Sequence, residues 1–370
     1  MTARAIFRTG FYSALFILAA CSGNSDEHSN GQNVVNIYNW ADYIAPDTLE
    51  KFEAEFGIKV NYDIYDSSEV VDVKLLAGNS GYDVVVHSNQ FSSRLAPIGV
   101  YEKLDFSRLG NMRHYDAELM RRIQYDAVVD YNVPYHWGST GYAWNVEMVR
   151  ERLPDHPMDS ADVLFDPDVV SKLADCGVSL LDGPTDLFPM VLAYLGLDPN
   201  AVDDESLAKA EAQIKLVRPY IRYFSNQKMM SDLPNKEVCV AMSWSGDYAQ
   251  AAERAKEAGI EIELRYTAPK EGTGLWVDGL YIPSDAPHKD NAYLFLNFIM
   301  RPEIAAANAS NSRYANANAA SWELMAPELL NNPAIFPDEQ TWNAMYPIKT
   351  ADPKRERPRT RAFARAKSGI

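Results

Sequence analysis

Cysteine, histidine and basic residues are all scarce in this 370-residue chain, which has three cysteines, six scattered histidines and 35 lysines and arginines against 51 acids. No CxxC, HExxH or clustered Cys/His pattern occurs, so no metal centre and no cofactor are expected. GxSxG and Walker spacings are missing too, and Gly138-Ser139-Thr140-Gly141 fits neither. The net charge of −16 repels phosphate backbones and draws in cations, which argues against nucleic acid as a partner. No apolar run approaches the roughly 20 residues that a membrane-crossing helix needs. A repeat of fixed period is also missing, which excludes solenoid architectures.

The positive signals begin at the N-terminus. Arg4 and Arg8 precede the apolar run 11–20, which closes on Leu18-Ala19-Ala20-Cys21. That order of charge, short apolar core and small residues reads as an export signal over 1–21, and its ending resembles a bacterial lipobox with Cys21 as the lipidated residue. Residues 22–33 (SGNSDEHSNGQN) read as a flexible polar tether. The expected location is therefore the periplasm or cell envelope, with a lipid anchor as the most membrane contact to expect. The two remaining cysteines, Cys176 and Cys239, are an even pair in an exported chain and so a disulfide candidate, closing a loop worth roughly 4 kcal/mol of chain entropy. The chain beyond the tether is too long for one ordinary hydrophobic core, so two lobes are expected.

Periodicity predicts a strand over 34–38, a helix opened by Pro46 and stopped by Gly57, a strand in which Ile58, Val60, Tyr62 and Ile64 alternate, a helix over 69–77 and a strand over 82–86. This βαβαβ order implies a mainly parallel sheet with ligands bound beyond the carboxyl ends of its strands. The grammar returns at 178–181, followed by a loop through Asp186 and a helix from 187, and at 238–243, followed by a loop through Asp247 and a helix to 258. Between the first block and this later one, 133–141 is extended and reads as chain crossing between lobes. The basic stretch 354–367 (KRERPRTRAFARAK) has the Ala/Phe spacing of an amphipathic surface helix with Phe363 turned inward.

Collected from the strand ends, the candidates are Trp40, Tyr43, Trp244, Trp276 and Tyr314 with Asp42, Asp186, Asp247 and Asp278. Aromatics with carboxylates suit an organic cation, since a desolvated ammonium needs acids to accept its protons and ring faces to cover its methylenes. Singly, each has a plainer role as helix cap, core residue or solvated acid.

Asn-Trp-Ala-Asp-Tyr-Ile at 39–44, Trp-Ser-Gly-Asp at 244–247, Trp-Val-Asp at 276–278, Tyr-Ala-Asn-Ala at 314–317 and Arg-Thr-Arg-Ala at 359–362 resemble the bacterial polyamine-binding proteins of ABC transporters, over essentially the whole of 34–369. The resemblance implies an α/β, two-lobed periplasmic-binding-protein fold of type II with the ligand in the interlobe cleft. Lobe 1 is expected over 34–135 plus about 262–312, and lobe 2 over 136–261 plus about 313–370. It also implies putrescine or spermidine as ligand, permease subunits as partners, a monomer, and no enzymatic activity. By the same resemblance Trp40 and Tyr43 supply ring faces with Asp42 on their loop, Ser88 a polar contact and Phe91 an aromatic one, Asp186 an acid, Trp244 with Asp247 and Trp276 with Asp278 two ring-and-acid pairs, and Tyr314 a further ring. The family's cysteine pair falls on Cys176 and Cys239.

The chain departs from the family at Ala41, where a hydroxyl is common, at Asp186, where Glu is common, and in placing His87 and Gln90 beside Ser88. With Trp276, the first two leave room that favours a triamine. Rival readings are an exported two-carboxylate hydrolase, a lipid-anchored sensor of the same fold, and a ferric-ion binder, for which the strand-end set is too rich in Trp.

Overall fold

The computed structural model describes residues 33–123, 127–349 and 353–369; the export signal, Cys21 and nearly all of the tether lie outside the described residues. Among the described residues are ten strands: β1 (Val34–Trp40), β2 (Lys59–Tyr65), β3 (Val84–Ser88), β4 (Asn132–Asn145), β5 (Val178–Leu180), β6 (Ile221–Phe224), β7 (Val240–Trp244), β8 (Leu264–Thr267), β9 (Thr273–Tyr281) and β10 (Met345–Pro347).

The expected βαβαβ opening is present. β1 pairs in parallel with both β2 and β3, and the helices Thr48–Phe56 and Ser68–Leu76 connect them. The first helix buries Phe52 and ends at Gly57, whose φ of 66° lies in the left-handed region that glycine enters without steric cost. β2 is an edge strand, and the alternation expected over 58–64 breaks at its end: Ile64 is 60% exposed, and Tyr65 is buried instead.

Past β3 the sheet is not mainly parallel. Its order is β2-β1-β3-β9-β4-β7-β5-β6, with β9 antiparallel to both β3 and β4. β4 then pairs antiparallel with β7 and β8 through its second half. β4 follows a helical stretch after β3 and runs parallel to it, whereas β9 comes directly from β8 without a helix and lies antiparallel between the two. The segment expected to cross between lobes is part of β4, one continuous 14-residue strand buried along its whole length.

Two large cores sit on the two halves of this sheet. Val35, Ile37, Phe52, Val84, Phe295 and Leu296 belong to one, and Val170, Leu180, Phe188, Leu192 and Ile214 to the other. Two expected loops are shorter than the sequence suggested. The helix Pro184–Tyr194 opens with its proline in the first turn rather than at 187, and Ser245–Glu257 follows β7 directly. Asp186 and Asp247 therefore lie in first turns, where the helix dipole favours an acid. The basic stretch forms the helix Pro353–Ser368 and seats Ala362 and Ala366 in the second core, with Phe363 half-buried against Phe224. Arg359 is the surprise: it is fully buried and pairs with Glu356 one turn earlier, where a solvated surface cation was expected.

Cys176 and Cys239 are bonded, with their Cα atoms 5.5 Å apart and 63 residues between them in sequence. Both are buried in the second core, and neither lines the cavity described below. Replacing both with serine should lower unfolding stability by about 2 to 4 kcal/mol. Urea denaturation checks this, and ligand affinity in native buffer should stay within about twofold of wild type.

Candidate functional site

A cavity of about 730 Å³ opens between the two halves, and all eleven sequence candidates line it. Trp40 ends β1, and Asp42 and Tyr43 follow it. Ser88 ends β3, and Phe91 sits in the first turn of the helix Asn89–Leu95. From the other half come Asp186, Trp244 and Asp247. Trp276 and Asp278 are two apart on β9, so the pleat turns both to one face. The β3/β9 register sets Asp278 opposite Ser88, and the β4/β9 register sets it opposite His136.

Each acid has neutral hydrogen-bond donors. Tyr43 Oη donates to Asp278 Oδ2 at 2.7 Å, and Ser88 Oγ donates to the other oxygen. Tyr314 Oη donates to Asp247 Oδ1 at 2.5 Å. Trp244 Nε1 and Thr140 Oγ1 donate to Asp186 Oδ1 at 3.1 and 3.3 Å. The Trp-Ser-Gly-Asp motif acquires a steric reason here, because a Cβ on Gly246 would lie 2.3 Å from the Tyr314 ring. Only glycine lets that ring lie on the helix start and reach Asp247. Trp276 meets Tyr314 edge-on with centroids 5.1 Å apart, and a Cβ on Gly138 would lie 2.5 Å from its indole.

Asp42 differs from the other three acids. It is an exposed rim residue with φ 56°, and Arg254 of the opposite half reaches it at 2.9 Å. Of the missed residues, Tyr135 donates its hydroxyl to the Tyr43 carbonyl at 2.8 Å, and His136 stands edge-on to the Tyr43 ring with centroids 4.9 Å apart. Burial lowers the His136 pKa to about 3, so this ring is neutral at physiological pH and adds no charge behind Asp278. Both residues fall in the stretch read as a crossing segment, but only the register of β4 on β9 shows which way they face. Arg254 carried no signal, since its partner is 212 residues away. Among the described residues no group of three or more Cys, His, Asp or Glu is placed to hold a metal.

Among the described residues Asp186, Asp247 and Asp278 have no ion-pair partner, and burial raises each of their pKa values from 3.8 to about 6. The Tyr and Trp donors pull in the opposite direction, but loss of water outweighs them. The cavity is thus built for a positive charge that the protein does not supply. A carboxyl whose pKa rises on folding binds its proton more tightly in the folded chain. Its contribution to stability is complete below the unfolded value near 3.8 and fades as pH climbs through about 6. Thermal melts of unliganded protein should therefore show this part of the stability falling between pH 5 and 7.5. Asp278→Asn should flatten the decline and, at pH 7.5, melt above wild type by an amount worth on the order of 1 to 3 kcal/mol.

Comparison with known proteins agrees with this geometry. Residues 47–337 match the family model described as bacterial extracellular solute-binding protein. The putrescine-binding periplasmic protein SpuD of Pseudomonas aeruginosa is 42% identical over 358 residues, 96% of this chain and 97% of that one. The putrescine-binding periplasmic protein PotF of Escherichia coli is 43% identical over 342 residues, 91% and 92% of the two chains. Among solved structures, a putative spermidine/putrescine ABC transporter protein from Listeria monocytogenes superposes with a TM-score of 0.80 at 30% identity, covering 90% of this chain and 99% of that one. With that fold and a family match across most of its length, the chain belongs to the bacterial extracellular solute-binding proteins and has their two-lobed α/β architecture.

Proposed function

We propose that the protein captures an aliphatic polyamine, putrescine or spermidine, in the cavity between its lobes and hands it unaltered to the permease of an ABC transporter. The observation that supports this most is the set of three desolvated carboxylates without an internal cation, walled by aromatic rings. An α,ω-diamine brings two ammonium groups and a flat apolar chain. Asp278, Asp247 and Asp186 accept from the ammonium groups, while Trp40, Trp244, Trp276, Tyr43, Phe91 and Tyr314 cover the methylenes at roughly 0.5 to 2 kcal/mol per well-placed ring. Ser88 orients Asp278, and Asp42 acts at the rim through Arg254.

Closure of the two lobes on the ligand strips its water, and reopening releases it. Relatives named for putrescine, and for spermidine with putrescine, support the ligand class and the periplasmic setting. The export signal and Cys21 add a lipid tether to the envelope, and the reading takes the protein as a monomer. Among the described residues no helix is long and apolar enough to cross a membrane.

Calorimetric titration with putrescine, cadaverine, spermidine and spermine tests this reading. At least one should bind, and failure of all four at millimolar concentration to folded protein would overturn it. Asp278→Asn and Asp247→Asn should each weaken the best ligand about tenfold to a hundredfold, the usual cost of a charge-assisted bond. Wild-type affinity should fall as pH drops below about 6, where the three acids take up protons in place of the ligand's charge.

A further inference from the structure

The cavity has an inner and an outer part. Asp278, Asp247 and Asp186 lie among the rings, whereas Asp66, Glu69, Asp182 and Asp42 line the same space on turns and helix starts. Two of these four outer acids already hold a cation from the protein itself. Arg254 takes Asp42. Lys367, from the last turn of the C-terminal helix, takes Asp182, with Nζ 2.7 Å from each carboxylate oxygen.

The second pair is held from both sides. Asn226, another lining residue, accepts the Asp182 amide at 2.8 Å and fixes the turn between β5 and its helix. On the helix, Ala362 and Ala366 are sunk in the second core, and Arg218 Nε donates to the Lys367 carbonyl at 2.7 Å. The Lys367 ammonium also lies 5.8 and 5.9 Å from the ring centroids of Phe224 and Phe363. A primary alkylammonium, chemically the end group of a polyamine, therefore sits on an acid that lines the cavity.

We infer that Lys367 is a specificity-determining residue: by occupying Asp182 it withholds an outer carboxylate from the additional ammonium of a triamine and so favours a diamine. This rests on the polyamine reading above and adds the selection within that class. A diamine's two charges are met by the inner acids. The third charge of spermidine extends toward the mouth, where Arg254 holds Asp42 and Lys367 holds Asp182, so only Asp66 and Glu69 of the four outer acids are left to it among the described residues, and Asp182 is gained only by displacing a like charge. The room left by Ala41 and Asp186 admits the longer chain, but the charge at the mouth works against it. The lysine and aspartate side chains are 40% and 37% exposed, so the pair is individually weak and a change in it should act on selectivity by a modest factor.

The test is the ratio of spermidine to putrescine affinity, measured by calorimetry at pH 7.5 and about 0.1 M salt. Lys367→Met should raise that ratio about three- to tenfold, and Lys367→Gln should do the same, so either variant that melts cooperatively serves. Lys367→Arg should keep the ratio within twofold of wild type. In the Lys367→Met/Asp182→Asn double variant the gain should vanish, because the freed acid is gone. An unchanged ratio in a folded neutral variant, or a gain that survives in the double variant, would overturn the inference. If wild type binds neither polyamine, the fault lies with the proposed ligand class, and the ratio is not reached.

Discussion

Loss of water around Asp278, Asp247 and Asp186 is the constraint on which the other features of the site depend. A carboxylate in such a place is costly when charged, and here the cost is only partly offset by Tyr43, Ser88, Tyr314, Trp244 and Thr140, all neutral donors. A structural ion pair would have been the cheaper solution. Arginine is used in that way at the rim, on Asp42, and within the C-terminal helix, on Glu356. Leaving the inner acids unpaired trades stability of the empty protein for affinity toward a cation, a common trade at functional sites.

The backbone makes this arrangement possible. Strands β9 and β4 run antiparallel through the middle of the sheet and carry Trp276, Asp278, His136 and Thr140 to the cavity or behind it. The helices that begin at Pro184 and Ser245 bring Asp186 and Asp247 in their first turns, so each acid sits where aligned backbone amides also favour its charge. Gly138 and Gly246 leave the space in which Trp276 and Tyr314 lie against backbone. His136, held neutral by burial, packs on Tyr43 without adding charge of its own.

Much of this could be read from the sequence because its signals are local. The βαβαβ opening, the strand ends and the ring-and-acid motifs all lie within short windows, and the eleven candidates they produced share one cavity. The features that escaped depend on long-range register. The parallel-sheet expectation failed first at β9, which comes from β8 without a helix to announce it and inserts antiparallel between β3 and β4. Arg254 on Asp42 and Lys367 on Asp182 join residues 212 and 185 apart, and neither lysine nor arginine is unusual in its own window. Arg359 stood in a stretch whose composition reads as solvated surface, yet the helix turns it fully inward. Loop lengths at Asp186 and Asp247 were overestimated because acids read as turn residues also suit a helix's first turn.

The most direct measurement is the number of protons exchanged on ligand binding, obtained from calorimetric titrations of putrescine and spermidine in buffers of different ionisation enthalpy. With the inner acids titrating near 6 in the empty protein, a bound ammonium pair should drive their protons off. Binding at pH 6 should then release on the order of one proton, with the release fading toward zero at pH 7.5 and above, where the carboxylates are already charged. Binding at pH 6 without proton release, or with proton uptake, would show that these acids are not what receives the ligand's charge.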